Sequence, residues 1–310
     1  MEEGRRRNKA WLNILLLVVT CLSAFVVGLG WSINYAFSEE LASDPQSLPP
    51  VQALSDPRII RLSLVYVAVL IGILLGHEMG HYVACRYYRV QATLPFFIPA
   101  PTFVGTLGAF IKIQAPITRK KQLFDIGISG PLVGFVLALP ALVYGLARSK
   151  VVPILPNEDI LVFGEPLLLK FIGGILLRDI PDGSGVFLHP AGFAGWVGVL
   201  VTAFNLFPVG QLDGGHVSYA LLGPKARPLA RISLAVFFFM GVCFWVGWIV
   251  WALVILLLGL KHPRVLDEGE RLSPLRYVLG LVVVAIFLAS FMPAPIKGYS
   301  LIELVRQWGF

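Results

Sequence analysis

The apolar positions of this chain fall in long unbroken runs, not in the alternating or three-to-four spaced pattern of a half-buried surface element. Runs extend from Trp11 to Tyr35, Leu62 to Tyr82, Leu123 to Ala147, Pro190 to Pro208, Leu229 to Leu260 and Tyr277 to Met292, joined by polar or proline-bearing segments. A helix needs about 20 apolar residues to cross a hydrocarbon layer, and most of these runs reach or approach that length. The stretch Pro166 to Leu177 is 12 residues and reads as interfacial or re-entrant. The first run follows Arg5, Arg6, Arg7 and Lys9, as a signal peptide would. It is too long for a cleaved apolar segment and lacks a small-x-small exit, so it is read as a span.

The run Leu229–Leu260 decides the topology. Its 32 residues would measure about 48 Å as one helix, well beyond a hydrocarbon core of about 30 Å. Basic residues supply a second test. With the N-terminus cytoplasmic, the basic loops at 86–121 and 225–231 also lie inside. Lys261, Arg264, Arg271 and Arg276 join them only if 229–260 crosses twice, with a break near Gly241–Gly247. Seven spans are expected, six if that run crosses once.

Composition agrees with the pattern. Apolar residues make up 57% and charged residues 14%, and mean hydropathy is +0.79, which excludes a soluble globular enzyme and a disordered chain. Cys21, Cys85 and Cys243 lie far apart in apolar runs, so neither a disulfide framework nor a cysteine zinc site is available. The net charge of +7 fits cytoplasmic loops facing an anionic membrane and not nucleic-acid binding. The expected fold is all-α and polytopic, one integral membrane domain over 1–310. Its N-terminal span is 11–35, its core about 62–223 and its C-terminal spans 229–292. The longest polar connection, 148–189, is too short for an added globular module.

Candidate chemistry begins with His77-Glu78-Met79-Gly80-His81 on the second run. Histidines four apart lie one above the other on a helix, so both imidazoles reach one metal, and Glu78 falls beside them as a base for water. Between Arg61 and Arg86 these three are the only charged or imidazole side chains. Each costs about 2.5–3.5 kcal/mol at mid-membrane when ionised, so they need a reason. A catalytic zinc takes a third protein ligand. From Pro190 to His262 the single acid is Asp213, at the end of Asn205-Leu206-Phe207-Pro208-Val209-Gly210-Gln211-Leu212-Asp213-Gly214-Gly215-His216. Asp213 is favoured because its Gly-Gly successor permits close backbone approach; His216 is the rival. Asp125 opens the third run, where a helix N-terminus attracts a carboxylate in any case.

Between the second and third runs, Pro95 to Pro116 holds Pro95, Pro99 and Pro101, then β-branched and aromatic residues punctuated by Gly105 and Gly108. This composition predicts a short hairpin with its turn near Gly105–Gly108. Its apolar character beside a basic loop suggests that it dips back towards the cleft, which membrane depth allows only where backbone groups are buried in protein or reach water.

The H-E-x-x-H element, with Asn205-x-x-Pro208-x-x-x-x-Asp213-Gly214 and Gly130-Pro131-Leu132-Val133-Gly134, resembles the site-2 protease family of intramembrane zinc metalloproteases. The resemblance implies one Zn2+ held by His77, His81 and Asp213, Glu78 as base, Asn205 at the cleft, and a membrane protein's transmembrane segment as substrate. It also implies a re-entrant β-loop between the second and third spans. The segment Phe110, Ile111, Lys112, Ile113, Gln114 is then expected to pair with unwound substrate, main chain to main chain. Gly130 and Gly134 permit close helix packing with or without catalysis. Many relatives carry a PDZ domain; with no room for one here, the compact branch is the nearer likeness, in a bacterial cell membrane or a thylakoid. A catalytically silent helix-binding scaffold and a zinc transporter are the rivals. The third and seventh runs offer a transporter no further ligands, and an intact base argues against a silent scaffold.

Two surface readings complete the sequence. Trp245, Trp248 and Trp251 have helical spacing and are expected at the interface or facing lipid. Leu301 to Phe310 is expected to lie on the surface as an amphipathic helix.

Overall fold

The computed structural model describes residues 10–43, 51–153, 161–177, 180–260, 265–267 and 269–307. The basic residues Arg5, Arg6, Arg7, Lys9, Lys261 and Arg264, with His262, lie outside them. Besides a six-residue helix at Ser38–Ser43 and short 3-10 turns, its helices are α1 (Ala10–Ala36), α2 (Pro57–Tyr87), α3 (Lys120–Ala147), α4 (Leu167–Leu176), α5 (Pro190–Asn205), α6 (Asp213–Leu222), α7 (Ala226–Cys243), α8 (Gly247–Leu258), α9 (Pro274–Ser290) and α10 (Leu301–Gln307). Two antiparallel strand pairs accompany them: β1 (Phe96–Pro99) with β2 (Thr106–Phe110), and β3 (Lys150–Pro153) with β4 (Ser184–Phe187). Among the described residues, α1, α2, α3 and the continuous stretch Asp213–Cys243 are long and apolar enough to cross a membrane. The other apolar helices are shorter.

Small residues set how closely the central helices meet. A Cβ at Gly145 would lie 2.0 Å from Gly192 Cα, and one at Gly195 would lie 2.7 Å from Leu142 N, so α3 and α5 touch backbone to backbone. This explains why α5 is only 16 residues. Nearly all of its residues are buried by other helices, including Phe193, Trp196 and Phe204, so its length is set by protein neighbours and not by lipid. The same device joins α2 to α3, where a Cβ at Gly80 would meet Ser129 O at 2.6 Å.

The long apolar run 229–260 is broken as expected. α7 ends at Cys243, α8 starts at Gly247, and the chain folds back so that Phe237 stacks on Trp248 at 5.1 Å. The break lies beside Tyr299, whose carbonyl accepts from Val246 N at 2.8 Å. After α8 the chain returns to the start of α3: Asp267 N donates to Thr118 O at 3.0 Å, and Arg119 pairs with Glu270 at 2.8 Å. α9 then begins beside α3, with Arg276 on Asp125, and is followed by Pro295 bonded to Gly164 at the opposite end of the bundle.

Three expectations are corrected. The hairpin turn lies at residues 100–105, so that Gly105, with φ +86, closes it while Gly108 does not belong to it; Thr102 Oγ1 accepts from Val104 N and Gly105 N within it. Gly108, with φ +100, instead lies within β2, whose register with β1 is irregular. Trp248 is not at the interface: it is 1% exposed, packs on Phe204, Phe207 and Phe237, and donates to Pro293 O at 2.6 Å. Asp125 is held by a two-pronged contact from Arg276, at 2.8 and 2.6 Å, and not by the helix end alone.

The hairpin is strapped along α1. Asn13 donates to Leu94 O and Pro95 O at 3.0 and 2.8 Å, Ser23 to Ala100 O at 3.2 Å and Trp31 to Phe103 O at 2.9 Å. From Asn13 to Trp31 the helix rises about 27 Å, so the hairpin runs nearly the length of a long apolar helix. The polar groups of an otherwise apolar α1 thus satisfy hairpin carbonyls where water is scarce.

Candidate metal centre

α2 carries His77, Glu78 and His81 on its buried side, at 3%, 6% and 7% exposure. Asp213 is the first residue of α6. The loop that delivers it is compact because two glycines allow it: a Cβ at Gly214 would lie 2.0 Å from Leu206 O, and one at Gly215 would lie 2.5 Å from Gly210 O. Asn205, the last residue of α5, comes from the other end of the same loop.

These elements converge on one point. His77 Nε2 lies 3.2 Å from Asp213 Oδ2, His81 Nε2 3.2 Å from Asp213 Oδ1, and the two Nε2 atoms are 3.2 Å apart. A tetrahedron with zinc–ligand bonds of about 2.0–2.1 Å has edges of about 3.3 Å, so the spacing fits one zinc ion. Among the described residues this is the group of acids, histidines and cysteines arranged to hold a metal. His216 is not in it; its Cβ would be 3.0 Å from a Cβ built at Gly127 of α3.

The surroundings prepare the ligands. His81 Nδ1 donates to Ile126 O at 2.7 Å, which leaves the lone pair on Nε2, facing the centre. Room for both rings comes from α3: a Cβ at Gly130 would lie 2.0 Å from His81 Nε2, and one at Gly134 would lie 3.0 Å from His77 Nδ1. Asn205 Nδ2 is 3.3 Å from His77 Nε2, so its amide borders the centre. The Ile126 carbonyl left no trace in the sequence, since a backbone acceptor carries no residue signature; Gly130, nearly three turns into α3, was the available hint.

The hairpin's second strand continues past β2 to the same place. Lys112 N donates to Thr93 Oγ1 at 3.0 Å, Thr93 N to Lys112 O at 3.0 Å and Gln114 N to Gln91 O at 2.7 Å. Residues 112 and 114 therefore face 91–93, and strand alternation turns the polar backbone of 111 and 113 to the opposite edge. On that edge the Ile111 N–H is directed at the Glu78 carboxylate. Ile111 and Ile113 themselves are half-buried against Cys85, Val90 and Ile126, while Phe110, Lys112 and Gln114 are more exposed.

Residues 65–248 match the description Peptidase family M50. The chain belongs to peptidase family M50. The match takes in all of the centre and the hairpin, and starts after α1. The chain is 32% identical over 227 residues to a protein of Oryza sativa subsp. japonica named Probable zinc metalloprotease EGY1, chloroplastic, covering 69% of this chain and 38% of that one. It is 30% identical over 251 residues to the Arabidopsis thaliana protein of the same name, covering 75% and 43%. To Probable zinc metalloprotease EGY2, chloroplastic, of Arabidopsis thaliana it is 30% identical over 236 residues, covering 74% and 41%. The chain thus spans about two fifths of the length of these curated relatives.

Proposed function

We propose that this protein is an intramembrane zinc endopeptidase that hydrolyses a peptide bond within a transmembrane segment of another membrane protein. The observation that carries the reading is the convergence of His77, His81 and Asp213, at tetrahedral spacing, with a buried Glu78 on the same helix. Membership of peptidase family M50 supports it.

His77, His81 and Asp213 are the ligands. Bound to them, zinc supplies Lewis acidity, polarising the scissile carbonyl and making water acidic enough to ionise near neutral pH. Glu78 accepts the proton of the attacking water on a carboxylate oxygen and returns it to the leaving nitrogen as the C–N bond breaks. The Asn205 side-chain N–H borders the same point and donates to the oxyanion that develops on the substrate carbonyl. A helical peptide bond is shielded, so the substrate is held extended, and the edge at Ile111 and Ile113, which pairs with no other strand among the described residues, offers main-chain partners for it. Phe110, Lys112 and Gln114 complete the strand that meets it.

In the membrane, the protein has seven spans, with α7 and α8 forming a broken pair. The support is geometric: residues before α3 and after α8 meet at one end of the bundle, as Thr118 and Asp267. That end carries the basic residues Arg86, Arg89, Arg119, Lys120 and Lys121, which supports reading it, with the N-terminus, as the cytoplasmic end. We read the hairpin as re-entrant, a reading supported by its bonds along α1 from Asn13 to Trp31. The host membrane is a bacterial cell membrane or a thylakoid.

The test is hydrolysis by purified protein of a single-span reporter in vesicles, before and after chelation and after zinc is returned. Cleavage inside the reporter's apolar segment, lost on chelation and restored by zinc, is expected. Zinc-loaded protein that leaves the segment intact contradicts the proposal.

A further inference from the structure

At the end of α2 the chain reverses sharply. Arg89 has φ 56, the left-handed conformation that usually falls to glycine at a helix end, and Val90 N bonds back to Cys85 O at 2.8 Å. The reversal opens a cavity of about 440 Å3 lined by Arg86, Arg89, Val90, Gln91, Ala92 and Gln114. No acid lines it. Its strand wall is closed to an added chain, because Gln114 N already donates to Gln91 O at 2.7 Å. Other basic residues near this end are paired, Arg119 and Lys121 with Glu270 and Arg276 with Asp125. Among the described residues neither Arg86 nor Arg89 has an ion-pair partner.

Arg86 also ends an apolar stripe. On α2, Leu64, Ala68, Gly72, Leu75 and Val83 are exposed and Met79 is half-buried. At helical spacing these positions and Arg86 lie on the side of α2 opposite His77 and His81, away from the metal centre. The stripe therefore faces lipid and not the cleft. From Leu75 to Arg86 the helix rises about 16 Å, the depth of hydrocarbon in one leaflet. Tyr87 beside Arg86 is 79% exposed, as an aromatic ring at the headgroup level would be. A hydrocarbon track one leaflet deep thus leads to two unpaired cations in a cavity.

We propose that this cavity holds the phosphate of an anionic phospholipid, whose acyl chain lies along the Leu75–Val83 stripe. Two guanidinium groups on one cavity bind phosphate oxygens by charge-assisted, two-pronged hydrogen bonds, and basic pockets beside membrane helices on the cytoplasmic side recognise anionic headgroups in this way. A second cation in the headgroup, as in phosphatidylcholine, is repelled by the same arginines. The bound lipid fixes the end of α2 at the headgroup plane, about 12 Å along the helix from Glu78. The site stands apart from catalysis: it requires only that this end of α2 lies at a membrane surface.

The experiment measures retention of phosphatidylglycerol by the full chain in neutral detergent, against phosphatidylcholine with the same acyl chains. Wild type is expected to prefer phosphatidylglycerol about thirtyfold, and Arg86→Gln or Arg89→Gly to lower that preference about fivefold each. Glycine at 89 keeps the left-handed backbone, so its loss reports the guanidinium and not the turn. Arg86→Lys, which keeps the charge, retains most of the preference. Arg227→Gln, an exposed basic residue at the same end, leaves it unchanged. An excess of inorganic phosphate or of a soluble Asp-rich peptide leaves the lipid in place, because neither covers the stripe. Equal retention of the two lipids by wild type overturns the proposal, as does a preference that survives both Arg86→Gln and Arg89→Gly. A loss in Arg227→Gln as large as theirs would reduce the effect to diffuse surface charge. Displacement by inorganic phosphate or by the peptide would assign the cavity to a soluble anion and not to a lipid.

Discussion

Gly130 and His81 meet so closely that a Cβ at position 130 would lie 2.0 Å from His81 Nε2. The atom displaced would be the one that faces Asp213, at 3.2 Å. α3 therefore contributes to the centre by lacking a side chain.

Gly130→Ala is expected to push His81 out of line and lower zinc affinity about 10- to 100-fold, the range for disturbing a ligand's support. Gly134→Ala, where a Cβ would lie 3.0 Å from His77 Nδ1, is expected to cost less, since the ring can yield slightly. Competition with a chelator of known affinity measures both, and equal zinc affinity in Gly130→Ala and wild type contradicts the arrangement.

Ile111→Pro removes the N–H directed at Glu78 and a donor from the free strand edge. It is expected to cut reporter turnover at least 100-fold, with zinc content unchanged. Ile113→Pro acts on the same edge and is expected to do likewise. Intact cleavage with proline at both positions would rule out strand pairing as the means of holding the substrate.

Arg276 joins the final long helix to the core through Asp125, and Tyr88 at the end of α2 also donates to Asp125. Burial, then the bond to Asp125, pushes the Tyr88 phenol up to about 12, so it stays a donor throughout the ordinary pH range. Arg276→Ala is expected to destabilise the protein by about 1–3 kcal/mol, by leaving the Asp125 carboxylate with Tyr88 as a donor but without its cationic partner. Replacing both partners, as Asp125→Asn with Arg276→Met, is expected to cost less than Arg276→Ala alone. Thermal unfolding in detergent measures the difference, and an Arg276→Ala protein as stable as wild type would deny the contact any role.

His189 precedes α5, where its Nδ1 accepts from Ala191 N at 3.2 Å, and Tyr35 and Tyr144 meet its ring edge-on at 5.1 and 5.7 Å. Burial, then the nearby Arg148 charge, holds this imidazole below its usual 6.5. A depressed histidine contributes stability that is present above the unfolded value and lost as pH falls through the folded one. Melting temperature should therefore decline below about pH 6.5, and His189→Asn, which keeps an acceptor but does not titrate, should flatten that decline. Parallel acid limbs in the two proteins would contradict this assignment.

Much of the site was legible because metal chemistry demands few residue types at strict spacing. His77 and His81 announce themselves four apart, and Asp213 is the single acid across a long apolar stretch. The membrane class and the break in 229–260 were legible for a similar reason, since hydrocarbon thickness and helical rise leave little freedom. What stayed hidden depends on distant partners. Trp248 has the same local pattern whether it faces lipid or a core; Phe204, Phe207 and Phe237, which bury it, belong to other segments. Asp125 reads as a helix-end acid until Arg276 arrives 151 residues later. The hairpin was legible by composition, but its turn uses Gly105, with φ +86, together with the Thr102 side chain, while Gly108 falls within β2.

The most direct test of the central claim is zinc content and reporter cleavage measured on the same preparations of wild type, Glu78→Gln and Asp213→Asn. Glu78→Gln should keep about one zinc per chain and lose cleavage, because a base is removed and no ligand is. Asp213→Asn should lose both. Substantial turnover by Glu78→Gln, or full zinc affinity in Asp213→Asn with loss in His216→Ala, would contradict the assignment of the base or of the third ligand.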